Sequence, residues 1–131
     1  MCPAPQDESP PWETTMGVAS TRGKAGEALA IAYLELAGCR VIGRNLRVGG
    51  VEVDLLVGDG PTHVVVEVKA RGRTDYGGAA AAIDRAKRMR LVRAARALQQ
   101  DGARCIRIDV VAVDLSPDGA TVRHYRSAVT E

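Results

Sequence analysis

Apolar and polar positions along this chain repeat with two different periods, and the switches between them mark out its elements. Arg40 to about Leu46, Val51 to Val57 and Thr62 to Lys69 are short runs rich in Val, separated by Gly49-Gly50 and by Gly58-Asp59-Gly60-Pro61. Such runs bounded by turn residues predict three strands joined by short hairpins. Ahead of them, Ser20 or Thr21 is predicted to cap a helix that runs to about Ala37 and ends at Gly38. Spacings of four and three residues place Glu27, Ile31 and Leu34 on one stripe of that helix. Beyond Lys69 comes a loop containing Gly72, Gly77 and Gly78, then a long helix to about Gln100 with Lys87, Leu91, Ala94 and Leu98 along one stripe. A strand from Cys105 to Leu115, a turn at Ser116-Pro117-Asp118-Gly119 and a last strand from Thr121 to Tyr125 follow. The order helix, three strands, helix, strand predicts an α/β sandwich with a mixed central sheet. Met1 to about Ala19 carries four prolines and no periodicity, so a flexible, acidic tail is expected there, with residues 20–131 forming one domain.

Composition narrows the picture. A chain of 131 residues with 46% hydrophobic content supports one modest core, built here from Val and Ala because Phe is absent. Trp12, Tyr33, Tyr76 and Tyr125 are the only aromatic residues, too few for recognition by base stacking. The net charge is only +2, but its distribution is uneven. Between Lys69 and Arg107 eleven basic residues, among them Arg71, Arg73, Arg85 and Arg88, face only Asp75, Asp84 and Asp101, a segment able to grip phosphates or simply to form a solvated helix. Cys2, Cys39 and Cys105 form no Cys-x-x-Cys pair and read as reduced thiols, and no run reaches membrane-spanning length, so a cytoplasmic protein is expected. No Gly-x-Gly-x-x-Gly or phosphate-loop pattern occurs, and neither His63 nor His124 has a Ser or Cys partner at a recognisable spacing; both histidines are read as incidental.

The chemistry concentrates at Glu67-Val68-Lys69. Alternate strand residues share a face, so Glu67 and Lys69 emerge side by side, and Asp54 lies one hairpin upstream on the neighbouring strand. Two carboxylates and a lysine suit a divalent cation and a water attacking a phosphodiester. Taken alone, a Glu-x-Lys pair is more often a solvated ion pair. Both acids, however, sit inside apolar runs, where an unpaired charge costs several kcal/mol unless a partner compensates it, on the order of 1–3 kcal/mol even for a polar group. Glu27 points toward the core side of its helix or else serves as a first-turn acid favoured by the helix dipole. Lys87 faces inward or toward a cleft. Asp109, among Ile106, Ile108, Val110 and Val111, requires a partner, with an arginine favoured over a role in the site.

These residues also carry a resemblance. Gly23-x-x-Gly26-Glu27-x-x-Ala30, Gly38, Arg44-Asn45, Glu52-Val53-Asp54-Leu55, Val66-Glu67-Val68-Lys69-x-Arg71, Tyr76-Gly77, Lys87 and Arg107-Ile108-Asp109-Val110-Val111 occur in an order that resembles the YraN family, uncharacterised bacterial relatives of archaeal Holliday junction resolvases. The resemblance runs from about Thr21 to Val113. It implies a restriction-endonuclease-like three-layer sandwich of the PD-(D/E)xK type, in which Asp54, Glu67 and Glu27 bind Mg2+, with Mn2+ as a substitute, and the Val68 carbonyl adds a ligand. Lys69 would orient or deprotonate the attacking water, and Lys87 would sit beside the scissile phosphate.

The expectation is therefore a Mg2+-dependent endonuclease acting on branched or structured nucleic acid, DNA rather than RNA, with Arg71, Arg73, Arg85 and Arg88 holding the backbone. Symmetric cutting of a junction would require a homodimer. Two other classes stand beside it: a nucleic-acid-binding module without catalysis, and a protein-interaction domain whose internal charges form structural ion pairs.

Overall fold

The computed structural model describes residues 18–72 and 83–130, with side chains for 23–70 and 83–130. Among these residues the order is α1 (Val18–Leu36), β1 (Arg40–Val48), β2 (Val51–Asp59), β3 (Thr62–Gly72), α2 (Arg85–Gln100), β4 (Cys105–Ser116) and β5 (Gly119–Tyr125). The predicted order of elements is observed, with each strand one to three residues longer than its apolar run. Most of the expected N-terminal tail and residues 73–82 of the glycine loop lie outside the described residues.

One correction concerns the start of α1. Helix is already present at Val18, so Ser20 and Thr21 lie within it rather than at its start. No Pro or Gly interrupts Val18 to Arg22, and two hydroxyl residues are too weak a stop signal to halt a helix that alanines favour. Its other end is as expected. Gly38, at φ +94, closes the helix with Cys39 N–H donating to the Leu34 carbonyl at 2.9 Å and Gly38 N–H to that of Glu35 at 3.0 Å, a Schellman arrangement that needs a residue free of a Cβ.

The five strands form one sheet in sequential order. β1, β2 and β3 are an antiparallel meander, β3 and β4 run parallel, and β4 and β5 are antiparallel, so the sheet is mixed. α2 lies in the crossover that a parallel β3–β4 pair requires. Each helix covers one face. Ala30 and Leu34 of α1 pack with Leu55, Val57, Val64, Val66, Val111 and Val113. Leu91, Ala94 and Ala95 of α2 pack with Val51, Val53, Val65, Val110 and Ala112. This is the three-layer sandwich of the restriction-endonuclease-like class. Val64, Val65 and Val66 are wholly buried because central β3 is covered on both sides. α1 comes unusually close to the sheet at Gly26, where a Cβ would stand 2.5 Å from that of Ala70.

Candidate metal centre and its surroundings

β2 and β3 pair from Asp59↔Thr62 to Leu55↔Val66, and there the ladder stops. Continued pairing would set Val53 against Val68. Instead Val68 N–H donates to Oδ2 of Asp54 at 2.9 Å, so a side chain replaces the backbone acceptor and the two strands part around it. On the other side of β2, β1 pairs Arg44↔Leu55 and Leu46↔Val53, leaving Asn45 and Asp54 unpaired opposite each other. Asn45 adopts φ +50, a left-handed conformation that asparagine tolerates better than most residues. Its Nδ2 donates to Oε1 of Glu27 at 3.2 Å.

Glu67 and Lys69 share the α2 face of β3, as strand alternation dictates. The Glu67 side chain is only 5% exposed, and its Oε1 receives Lys87 Nζ at 3.1 Å and Lys69 Nζ at 3.7 Å. Lys87 reaches it because α2 starts where it does. Asp84 caps the helix by accepting from Lys87 N–H at 2.8 Å, which sets Lys87 in the first turn, facing the sheet. The other carboxylate oxygen, Oε2, is buried without any hydrogen-bond partner. A native fold seldom leaves such an atom unmatched, since the desolvation costs about 1–3 kcal/mol. Burial pushes the Glu67 carboxyl above its usual range, the nearby charge of Asp54 adds to this, and Lys87 and Lys69 offset only part of it. Glu27 is likewise raised, by burial first and then by Asp54, with Lys24 and Asn45 opposing. Asp54 thus repels both Glu67 and Glu27 across the point where β2 and β3 part.

Among the described residues no three His, Cys, Asp or Glu side chains are gathered closely enough to form a ready-made cage for a metal ion. Asp54 and Glu67 lie near each other, whereas Glu27 approaches from the α1 side and is engaged with Asn45. The donor set nonetheless suits Mg2+, which keeps several waters and binds proteins through one or two carboxylates. The unmatched Oε2 of Glu67 is the atom such an ion would satisfy.

The basic residues divide. Arg85 and Arg88 project from α2, exposed, on either side of Lys87. Arg71 lies in β3 with its side chain outside the described residues, and Arg73 is outside them altogether. Asn45 joins the site without any chemical signal in the sequence beyond its place beside Arg44 on the edge strand.

A second polar cluster lies beneath α1, and it corrects the reading of His124 as incidental. Asp109, fully buried, accepts from Arg107 Nε at 2.8 Å, Arg107 Nη2 at 3.0 Å, Ser127 N–H at 3.0 Å and His124 Nε2 at 2.7 Å. The other ring nitrogen of His124 meets the Tyr33 hydroxyl at 3.1 Å, and the two rings pack edge to face. Arg107 also reaches Asp59 at 3.1 Å. Burial would raise the Asp109 carboxyl, but Arg107, Ser127 and His124 outweigh it and hold the group below its usual range. The expected arginine partner of Asp109 is therefore present; the histidine escapes sequence reasoning because β4–β5 register and the crossing of α1 bring it there.

Comparison with known proteins gives the chain a family. The uncharacterised protein family UPF0102 matches residues 26–113, and the chain belongs to that family. A UPF0102 protein of Halorhodospira halophila is 42% identical over 119 residues, covering 91% of this chain and 95% of its own. One from Dechloromonas aromatica is 43% identical over 96 residues, covering 72% of this chain and 80% of its own. Among solved structures, Pyrococcus furiosus SfsA in complex with Ca2+ aligns at a TM-score of 0.42 and 19% identity, over 86% of this chain and 65% of that chain. Among the described residues no helix is long and apolar enough to cross a membrane.

Proposed function

We propose that this chain is a Mg2+-dependent endonuclease that hydrolyses phosphodiester bonds in branched or structured DNA. The observation that carries the reading is Glu67: a buried carboxylate with two lysines on one oxygen, nothing on the other, and Asp54 across the gap between the strands. A fold tolerates such an arrangement where function needs it. Asp54 and Glu67, with the carbonyl of Val68, would hold Mg2+, or Mn2+ in its place. When bound, the ion supplies Lewis-acid charge and an acidified water. Lys69, partly exposed beside Glu67, would orient the attacking water through Nζ, and Lys87 would present its ammonium to the phosphate oxygens on which negative charge develops. Glu27, held by Asn45, completes the negative wall from α1. Arg85 and Arg88, with Arg71 and Arg73 of the same basic segment of the sequence, would supply phosphate contacts.

The experiment is incubation of the protein with labelled duplex, flap, fork and four-way-junction DNA, and with RNA counterparts, in Mg2+ or Mn2+, beside Asp54→Ala and Lys69→Ala. Cleavage that both variants lose supports the reading; no cleavage of any substrate overturns it. A second reading, a module that binds nucleic acid without cutting, is favoured by the contact of Glu67 with both lysines, which neutralises the acid without any metal. It requires salt-sensitive binding that survives Asp54→Ala and no turnover by the wild type.

A further inference from the structure

α2 carries a groove of about 640 Å³ along its flank. Arg85, Arg88, Met89, Val92, Arg93 and Arg96 line it along the helix. Gly49, at the β1–β2 turn, and Thr130, near the end of the chain, form the opposite wall. The wall stands close because residue 49 is glycine. Its φ is +59, and a Cβ there would lie 2.8 Å from that of Ala97 and 3.4 Å from the Arg93 carbonyl. The floor is apolar, with Val92 and Ala97 half-buried and Met89 61% exposed.

The charge on this groove is of one sign. Among the described residues no acidic side chain lines it, and the guanidinium groups of Arg85, Arg88 and Arg93 take part in no hydrogen bond or ion pair. Other arginines are engaged: Arg107 with Asp109 and Asp59, Arg47 with Glu52, and Arg96, in the same groove, has an interaction of its own. Unpaired arginines at successive turns of one helix repel one another, a cost that a polyanion removes. Arg85 and Arg93 are eight residues apart in the sequence, about 12 Å at a rise of ~1.5 Å per residue, the span of roughly three to four nucleotides at ~3.4 Å each. The groove starts beside Lys87, so a strand lying in it leads away from the Glu67 centre.

We infer that this groove is a second phosphate track, holding the backbone of one strand of nucleic acid for about three to four nucleotides beyond the candidate site. The inference rests on the nucleic-acid part of the proposed function and extends it: the substrate must continue past the point of attack on the α2 side, and ends or nicks lacking that extension bind more weakly.

The test is binding, measured without cleavage. Fluorescein-labelled duplexes and forks are titrated by anisotropy in EDTA, over a range of salt concentrations, with the wild type, Arg88→Ala/Arg93→Ala and, as a control for loss of a remote exposed arginine, Arg123→Ala. Both groove side chains are exposed and unpaired, and thermal melts check that the double variant folds. The slope of log K against log salt is expected to fall by about 1.8 in the double variant, ~0.9 for each duplex phosphate that is no longer neutralised, and to stay unchanged for Arg123→Ala. An unchanged slope in the double variant overturns the inference, and so does absence of binding by the wild type at low salt. A chain that cuts nothing but shows the slope change keeps the track and loses the nuclease; a chain that cuts but binds through the double variant as through the wild type keeps the nuclease and loses the track.

Discussion

The backbone N–H of Val68 donates to the carboxylate of Asp54 where the β2–β3 ladder ends. One acid thus does two things: it replaces the missing backbone acceptor, and it stands beside Glu67 at the point where the two strands part. Asp54→Asn keeps an acceptor for Val68 but removes the charge that repels Glu67 and Glu27. The expected result is loss of nuclease activity by at least about 100-fold, the scale of removing one preorganised electrostatic group, with folding stability retained in a thermal melt. Asp54→Ala should in addition lose about 1 kcal/mol from the abandoned N–H.

Glu67 should behave as a residue kept at the expense of stability. Its carboxyl is raised above the usual range by burial and by Asp54. A raised carboxyl favours folding in its protonated form, so that contribution is full below the unfolded value of 4.5 and is lost as pH rises through the higher folded value. At neutral pH the ionised group therefore weakens the fold. Glu67→Gln, which resembles the protonated acid, is expected to melt a few degrees higher than the wild type at pH 7, with the gain vanishing toward pH 4, and to be inactive on DNA. A lower melting temperature at pH 7 would mean that the lysine contacts outweigh burial.

Gly26 places α1, and with it Glu27, against β3. Alanine at a helical position is ordinarily better than glycine by up to ~1 kcal/mol. Here the added Cβ would lie 2.5 Å from that of Ala70, and overpacking of this kind costs about 1–3 kcal/mol. Gly26→Ala is expected to be destabilised by about 1 kcal/mol net, and Ala70→Gly in the same chain should restore most of the loss. A double-mutant cycle by urea unfolding measures the coupling; additive effects would show that the helix simply slides.

Much of this is legible in the sequence, for identifiable reasons. Strand alternation alone puts Glu67 and Lys69 on one face, and the stripe through Lys87, Leu91 and Ala94 turns Lys87 toward them. Apolar surroundings at Asp109 demand a partner, and Arg107, two residues away on the same face, supplies it. Periodicity cannot reveal what depends on register between elements distant in sequence. Asn45 reaches Glu27 because β1 and β2 skip a pair opposite Asp54, and His124 reaches Asp109 because β5 lies antiparallel to β4 with His124 facing Val111. Tyr33 joins them from 91 residues away.

The Asp109 cluster should set the acid limit of the fold. Its carboxyl is held below 3.8 by Arg107, Ser127 and His124 despite full burial. A lowered carboxyl contributes stability that is present above the unfolded value and lost as pH falls through the folded one, so the loss begins below about pH 4. Asp109→Asn keeps the shape but removes the charge at the centre of the cluster, leaves the partly buried Arg107 with Asp59 as its remaining partner, and turns one of the two accepting oxygens into a donor. Breaking a buried pair from one side costs about 3–5 kcal/mol, enough to unfold many domains of this size. His124→Phe removes one hydrogen bond and keeps the ring packing on Tyr33, so about 1 kcal/mol is expected. Melts between pH 3 and pH 7 separate the two: the wild type and His124→Phe should both lose stability below pH 4, whereas Asp109→Asn, already weakened at pH 7, should show a much shallower decline. Equal acid sensitivity in Asp109→Asn would assign the limit to other carboxylates.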